Sequence, residues 1–255
     1  MSPEARSAGV GGGTTVLLVP AYNESAAIGR VVQEAQAVCP ALRILVLDDC
    51  STDDTADIAE RAGAEVVRLP CHLGLGGCIQ TGYRMAYEMG VQTAVRIDGD
   101  GQHNPADIPR LLERLEATGC EMVIGVRERG SGSGSSGPRR IGIAFFKLLL
   151  RPILGRRVTD PTSGFVAVNR RALRVFSQSF PLEYPEIETL VVLQRRAFRF
   201  EEVPVRMRPR MGGRSSITAK GSIYFVVHVL LGVLVNILRL DAWRRRGKRR
   251  ARARG

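Results

Sequence analysis

The first half of the chain alternates short apolar runs with amphipathic stretches. The runs predict five strands, at 14–19, 43–47, 64–69, 92–97 and 121–126. The stretches between them predict four helices, at 25–38, 53–62, 76–89 and 105–118. Continuous apolar strands that alternate with helices are typical of a mostly parallel sheet with helices on both faces. The pattern therefore predicts an α/β fold of the Rossmann-like kind.

The second half of the chain is less regular. Residues 130–137 are all glycine or serine, which is typical of a flexible connector. Further elements are predicted as helices at 140–154, 170–178 and 186–197 and as strands near 164–169 and 199–206. A largely apolar run follows at 217–240. The sequence thus predicts one large α/β domain followed by an apolar appendage.

Acidic side chains follow several of the predicted strands. In an open parallel sheet, ligands bind outside the carboxyl ends of the strands. That edge receives the segment 20–24, then Asp48 and Asp49, then Asp98 and Asp100. Carboxylates at close range repel one another unless a cation or hydrogen-bond donors stabilise them. A divalent metal that bridges protein oxygens to a phosphorylated ligand would satisfy this edge.

Asp98 and Asp100 are the most specific pair. Residues i and i+2 of an extended segment point the same way, and Gly99 between them lets a ligand approach the backbone. Two adjacent carboxylates with open positions suit Mg²⁺ or Mn²⁺ held partly by substrate phosphates. The alternative is an ordinary acidic turn between a strand and a helix. Asp49 also has two possible roles: it could bind a ligand, or it could take part in helix capping.

Charge and cysteine content exclude some classes of protein. The 255 residues carry a net charge of +12. In 239–255, nine basic residues and one acidic residue, Asp241, give a net charge of +8. The remaining body is ordinary in charge, which argues against nucleic acid as its partner. The cysteines form no C-x-x-C pair and only three histidines occur, which disfavours a zinc site and indicates reduced, cytosolic thiols. Residues 1–13 are interpreted as a flexible leader.

Five ordered motifs resemble glycosyltransferase family 2, in its dolichol/polyprenyl-phosphate mannose synthase-like branch. They are Pro20-Ala21-Tyr22-Asn23-Glu24, Asp48-Asp49-Cys50-Ser51-Thr52-Asp53, Asp98-Gly99-Asp100-Gly101-Gln102-His103, Asp160-Pro161-Thr162-Ser163-Gly164-Phe165, and Glu202-Val203-Pro204-Val205 with Arg210-Met211-Gly212-Gly213-Arg214-Ser215-Ser216. The resemblance covers about 15–217 and implies the GT-A fold for a domain at 14–216. Ser216 stands where these synthases often carry lysine, and the Q-x-x-R-W element of polymerising enzymes is missing.

The resemblance implies an inverting transfer from a nucleotide-diphosphate sugar. By position, it assigns the nucleotide sugar to Pro20, Tyr22, Glu24, Asp49, Asp98 and Arg210. It assigns a metal to Asp98, Asp100 and Gln102, and the leaving diphosphate to Arg210. Positive charge at the metal and at Arg210 would stabilise the charge that builds on the β-phosphate, so Asp98, Asp100 and Arg210 are the expected catalytic residues.

The acceptor is left open between two chemistries. A polyprenyl phosphate is already an anionic nucleophile and needs basic recognition, for which Arg127, Arg139 and Arg140 flank the glycine–serine connector. A hydroxyl of a lipid-linked saccharide needs a general base, and Glu186 is then the fourth expected catalytic residue. The alternative for Glu186 is a charge that stabilises a helix N-terminus, and Arg139–Arg140 could be a solvated pair.

The apolar run at 217–240 is expected to form a membrane-associated helix. Residues 222–238 contain no charge over 17 residues, the lower limit for crossing a bilayer. Nucleotide sugars are cytosolic, and the basic tail at 241–255 also favours the cytosolic side, so a helix lying in the anionic leaflet is preferred over one that crosses. The expected location is the cytoplasmic face of the membrane. The alternative for this segment is a helix of the core or of an oligomer interface. The alternative for the whole protein is a binding protein with an inactive nucleotide fold.

Overall fold

The computed structural model of the chain describes residues 15–128, 150–151, 154–155 and 157–210. Within these residues, seven strands form one sheet in the order β3-β2-β1-β4-β6-β5-β7. The strands are β1 Thr15–Ala21, β2 Arg43–Asp48, β3 Glu65–Arg68, β4 Thr93–Arg96, β5 Met122–Arg127, β6 Val166–Asn169 and β7 Phe200–Val205. Each lies within about two residues of its predicted position, because the apolar runs that predicted the strands are the buried ones.

The sheet is mostly parallel, as predicted, with one reversed strand. β1 pairs in parallel with β2 and β4, β2 with β3, and β5 with β7. β6 lies antiparallel between β4 and β5, with Ala94 opposite Val168 and Val123 opposite Ala167. The carboxyl ends of β1, β2, β3 and β4 therefore meet at one edge, together with the start of β6.

Six helices and a short 3₁₀ turn connect the described strands. The helices are α1 Ile28–Val38, α2 Thr55–Arg61, α3 Gly74–Glu88, α4 Ile108–Thr118, α5 Arg170–Gln178 and α6 Pro185–Arg195, and the turn is Pro105–Asp107. The helix predicted from residue 25 begins at Ile28, and the backbone N–H groups of Glu24 and Ser25 before it donate to the side chains of Thr55 and Asp53. Helix α3 begins two residues earlier than predicted.

Helices cover both faces of the sheet. On one face, Tyr83 of α3 packs against Phe176 and Phe180, with ring centroids 5.4 and 5.2 Å apart. On the other face, Ile28 of α1 and Leu111 of α4 belong to a second buried cluster. Tyr83 thus packs in the core on its face of the sheet. The two layers bury the strands between them, and the loops at the carboxyl edge emerge from this core.

Several predicted segments lie outside the described residues. They are the leader 1–13, the connector 130–137, most of the helix predicted at 140–154, the apolar run 217–240 and the tail 241–255. Among the described residues, no helix has both the length and the apolar character needed to cross a bilayer. The membrane-associated helix and the domain bounds at 14–216 stay predictions.

Candidate active site

Two loops at the carboxyl edge are joined to each other by side-chain hydrogen bonds. The loop after β1 and the loop after β2 meet where Thr52 N–H donates to Asn23 Oδ1 at 2.8 Å and Glu24 N–H donates to Thr55 Oγ1 at 2.8 Å. Asn23 and Cys50 both adopt left-handed backbone, at φ 54° and 64°. Such conformations are costly for residues other than glycine and are kept where a loop has a required shape. The paired loops form one wall of the candidate site.

The loop after β4 carries the predicted metal-binding carboxylates. Asp98 is 36% exposed, while Asp100 is only 5% exposed. Gln102 donates to both oxygens of Asp100, from its backbone N–H at 2.9 Å and from Nε2 at 2.6 Å. His103 accepts the Asp98 backbone N–H on Nδ1 at 3.0 Å. Gln102 therefore holds the Asp100 carboxylate, and His103 holds the backbone at Asp98.

The segment after β7 brings Arg210 onto this loop. Arg208 N–H donates to the Gln102 carbonyl at 2.8 Å, and Arg208 Nη2 donates to Asn104 Oδ1 at 2.7 Å. Beyond these contacts, Arg210 lies with both Nε and Nη2 at 3.0 Å from Asp100 Oδ2. Its Nη2 is also 3.4 Å from Glu24 Oε1. Three residues predicted from separate motifs thus come together in one ionic cluster.

Negative charge exceeds positive charge in this cluster. Glu24 is 13% exposed. Burial raises the pKa of Glu24 to about 7, Arg210 opposes the rise, and Asp100, Asp98 and Asp53 add to it. Within the described residues, Glu24 Oε2 is buried without a hydrogen-bond partner. A further cation at this edge would relieve the repulsion among the carboxylates.

The donor set fits a hard divalent ion held partly by a substrate. Carboxylate oxygens are the ligands that Mg²⁺ and Mn²⁺ prefer. No group of three His, Cys, Asp or Glu side chains that could hold a metal is found among the described residues. Asp98 and Asp100 would supply two ligands, Gln102 stays a predicted third, and phosphate oxygens and water would take the remaining positions. Such partial coordination is usual for Mg²⁺ at phosphate-transfer sites.

The predicted nucleotide-binding residues occupy the same wall. The Tyr22 ring is exposed and tilts against the His72 ring, with centroids 4.4 Å apart. The Pro20 carbonyl accepts the Gly99 N–H at 3.3 Å, which holds the end of β1 against the loop that carries Asp98 and Asp100. Asp49 is buried, and its carboxylate accepts the Leu73 N–H at 2.7 Å and faces His72 Nδ1 at 3.0 Å. Asp49 thus supports the turn that carries His72, and its contact with a nucleotide stays a prediction.

Glu186 lies in the first turn of α6 and is paired with a buried arginine. Arg96 Nη2 donates to Glu186 Oε1 at 3.0 Å. Burial raises the pKa of Glu186, while the charge of Arg96 lowers it and that of Asp98 raises it. Arg127 ends β5, and the other two predicted acceptor residues, Arg139 and Arg140, lie outside the described residues. The acceptor-binding role of all three arginines stays a prediction.

Sequence reasoning did not assign a role to Arg96. It is the last residue of β4, two positions before Asp98, and only 3% of its side chain is exposed. The sequence did carry a signal, because Arg96 is the one charged residue in the apolar run 92–97. A buried charge of this kind needs a partner, but the partner lies 90 residues away.

Comparison with known proteins identifies relatives along most of the chain. The sequence model of Glycosyl transferase family 2 matches residues 16–176. An undecaprenyl-phosphate mannosyltransferase of Micrococcus luteus is 29% identical over 214 residues, covering 79% of this chain and 86% of the relative. A UDP-N-acetylglucosamine–dolichyl-phosphate N-acetylglucosaminyltransferase of Methanococcus voltae is also 29% identical over 214 residues, covering 74% of this chain and 84% of the relative.

Solved structures share the same architecture. Glucosyl-3-phosphoglycerate synthase of Mycobacterium tuberculosis, in complex with Mn²⁺, UDP-glucose and phosphoglyceric acid, is 28% identical to this chain. The match has a TM-score of 0.61 and covers 78% of this chain and 73% of that structure. The predicted GT-A fold is therefore confirmed for the described body. The two sets of relatives differ in acceptor, since the named sequences use lipid phosphates and the solved structure holds phosphoglyceric acid.

Proposed function

The chain belongs to glycosyl transferase family 2, and we propose that it transfers a sugar from a nucleotide-diphosphate sugar to a polyprenyl phosphate, with inversion at the anomeric carbon. The observation that carries this proposal is the cluster of Glu24, Asp100 and Arg210, with the Asp98 charge nearby, at the carboxyl edge of the sheet. The names of the relatives from Micrococcus luteus and Methanococcus voltae support a lipid phosphate as acceptor.

Asp98 and Asp100 would hold Mg²⁺ or Mn²⁺ against the diphosphate of the donor. When bound, the ion supplies positive charge that stabilises the diphosphate leaving group. Gln102 orients Asp100 through two hydrogen bonds, and His103 holds the backbone at Asp98. The solved relative that contains Mn²⁺ and UDP-glucose supports a divalent ion here.

Arg210, which lies against Asp100 and Glu24, would bind the same diphosphate. Its guanidinium now lies on Asp100 and beside Glu24, within reach of the space where the phosphates would bind. A guanidinium fork matches phosphate oxygens geometrically and keeps its charge at all relevant pH values. Pro20, Tyr22, Glu24 and Asp49 would bind the nucleoside part of the donor. The Tyr22 ring lies against His72, which in turn faces the Asp49 carboxylate.

The ion pair between Glu186 and Arg96 favours a phosphate acceptor. A phosphate oxygen attacks the anomeric carbon without losing a proton, so no general base is required. Glu186 Oε1 is held by Arg96 at 3.0 Å, which makes that carboxylate less available as a base. A hydroxyl of a lipid-linked saccharide is the second candidate acceptor, and the burial that raises the pKa of Glu186 favours it, because a base with a raised pKa is stronger.

The proposed site of action is the cytoplasmic face of the membrane. The apolar run 217–240 and the basic tail 241–255 would lie in and on an anionic leaflet. Polyprenyl phosphates are membrane-bound, so this location brings the body to its acceptor. Arg127, Arg139 and Arg140 would then receive the phosphate group of the lipid.

Substitution of the two loop carboxylates tests the proposal. Asp98→Asn and Asp100→Asn should each lower the turnover number by at least about two orders of magnitude, the range for losing a group that stabilises transition-state charge. Asp57→Asn is the matched control, because Asp57 is a surface carboxylate whose ion pair within the described residues is with the exposed Arg68. Transfer that resists EDTA and survives both loop substitutions would refute the metal assignment.

A further inference from the structure

Arg96 is a buried charge whose position links two sides of the site. It ends β4, in the middle of the sheet, and is 3% exposed. Its Nε donates to the Gly164 carbonyl at 2.8 Å, and its Nη2 donates to Glu186 Oε1 at 3.0 Å. Arginine stays protonated in proteins, so this charge persists wherever the side chain lies. One side chain therefore ties β4 to the loop before β6 and to the start of α6.

Gly164 brings Asp98 into the same arrangement. A Cβ added at Gly164 would lie 2.9 Å from both carboxylate oxygens of Asp98 and 3.2 Å from Arg96 Nη2. The bare backbone of Gly164 is thus flanked by the Asp98 carboxylate and by the Arg96 guanidinium. The negative charge of Asp98 and that of Glu186 accordingly lie near a single positive charge. Any movement of Arg96 would change the electrostatic environment of both carboxylates.

Stability alone does not require this arrangement. A buried ion pair gains little over apolar side chains of similar volume, because the cost of removing both charges from water offsets their attraction. The cavity beside the pair is lined mainly by apolar side chains, among them Tyr83, Met122 and Phe180, and by a smaller polar set, Asp160, Ser163 and Thr189. Stabilisation of the fold is therefore a weak explanation for the charged pair.

We infer that Arg96 is a positioning residue. It holds the acceptor side of the site, formed by Glu186 and the 160–165 loop, in a fixed position relative to the metal-binding Asp98. The inference rests on the proposed glycosyl transfer but not on the identity of its acceptor. Arg96 contacts neither substrate in this scheme. It acts through Glu186, Gly164 and Asp98, because its contacts with the first two hold them at a fixed distance from a donor bound at the third.

Two variants separate positioning from folding. Arg96→Lys keeps the charge but cannot make both hydrogen bonds, because an ammonium lacks the planar fork of a guanidinium. Arg96→Met combined with Glu186→Met replaces the pair by apolar side chains of similar volume, which buried ion pairs often tolerate without loss of stability. Thr189→Val is the matched control: Thr189 lines the same cavity, and within the described residues its buried hydroxyl has no hydrogen-bond partner.

The measurements are kcat and the acceptor KM, with whichever acceptor the full-length wild type glycosylates, and the Kd of nucleoside diphosphate with Mn²⁺ by calorimetry. Both variants should lose about 100-fold in kcat/KM for the acceptor, the cost of misplacing reacting groups by about 1 Å. Their Kd for nucleotide with Mn²⁺ should stay within about threefold of wild type, and Thr189→Val should match wild type throughout.

Two results would overturn the inference. One is a kcat/KM near that of wild type in either variant, which would make the pair a structural element only. The other is a loss of nucleotide binding as large as the loss of transfer, which would indicate general damage to the site. If the wild type glycosylates a hydroxyl rather than polyprenyl phosphate, the proposed acceptor is wrong and Glu186 is itself the candidate base. Arg96→Lys, which keeps Glu186, then decides the comparison alone.

Discussion

Replacing Glu24 by glutamine should remove part of the pH dependence of folding stability. Burial and the neighbouring carboxylates raise the pKa of Glu24 from its ordinary value of 4.5 to about 7 in the folded chain. A carboxyl group with a raised folded pKa stabilises the fold fully below its unfolded pKa. That contribution is lost as the pH rises through the folded pKa. The free energy of unfolding should therefore fall across neutral pH.

The size of the effect follows from the two pKa values. At pH 6 the folded Glu24 is mostly protonated, whereas the unfolded chain has it ionised, and at pH 8 both states have it ionised. Since one pKa unit corresponds to about 1.4 kcal/mol, the free energy of unfolding should drop by about 1 kcal/mol between these two pH values. A glutamine at this position is neutral throughout and should show none of this component.

Urea unfolding at pH 6 and pH 8, in EDTA so that no metal occupies the site, measures the difference. The wild type should lose about 1 kcal/mol more than Glu24→Gln over this interval. Glu34→Gln is the matched control: its ion pairs with Arg30 and Arg208 lower the pKa of Glu34, so it is ionised at both pH values. Equal pH dependence in wild type and Glu24→Gln would refute the electrostatic account of the cluster.

Three further predictions follow from glycines and from the tail. Gly164→Ala should weaken Mn²⁺ binding by about tenfold or more in calorimetry, because its Cβ would lie 2.9 Å from both Asp98 oxygens, and unchanged affinity would contradict that geometry. Gly76→Ala should lower the free energy of unfolding by about 1–3 kcal/mol, because its Cβ would lie 2.3 Å from the Leu182 carbonyl oxygen, and chemical denaturation would detect it. Deleting 241–255 should weaken binding to anionic vesicles, most strongly at low salt, and equal sedimentation with vesicles would exclude the electrostatic anchor.

The parallel part of the fold could be predicted because its central strands are buried on both faces. The runs that became β1 and β2 are almost wholly apolar, which marks them as central strands, and their following loops carry the acidic residues of the site. The loop with Asp98 and Asp100 could be found in the same way, since it follows a strand in a parallel sheet. Local pattern was sufficient wherever burial and the chain direction alone decide the outcome.

Long-range pairing was beyond that reasoning. The reversal of β6 between β4 and β5 leaves no mark in its own four residues, because a short buried strand reads the same in either direction. The contacts of Arg96 with Glu186 and of Arg210 with Asp100 join residues 90 and 110 positions apart. Sequence position names such charges as candidates, but only the folded chain shows which of them meet.

The proposed transfer is tested most directly by its product. Purified full-length protein would be incubated with Mn²⁺, a panel of nucleotide sugars and polyprenyl phosphate, and in parallel with phosphoglyceric acid and with a lipid-linked saccharide. The account predicts a glycosylated lipid whose sugar is released by mild acid, formed by the wild type and absent with Asp100→Asn. Transfer to phosphoglyceric acid or to a saccharide hydroxyl, with no acid-labile lipid product, would contradict it.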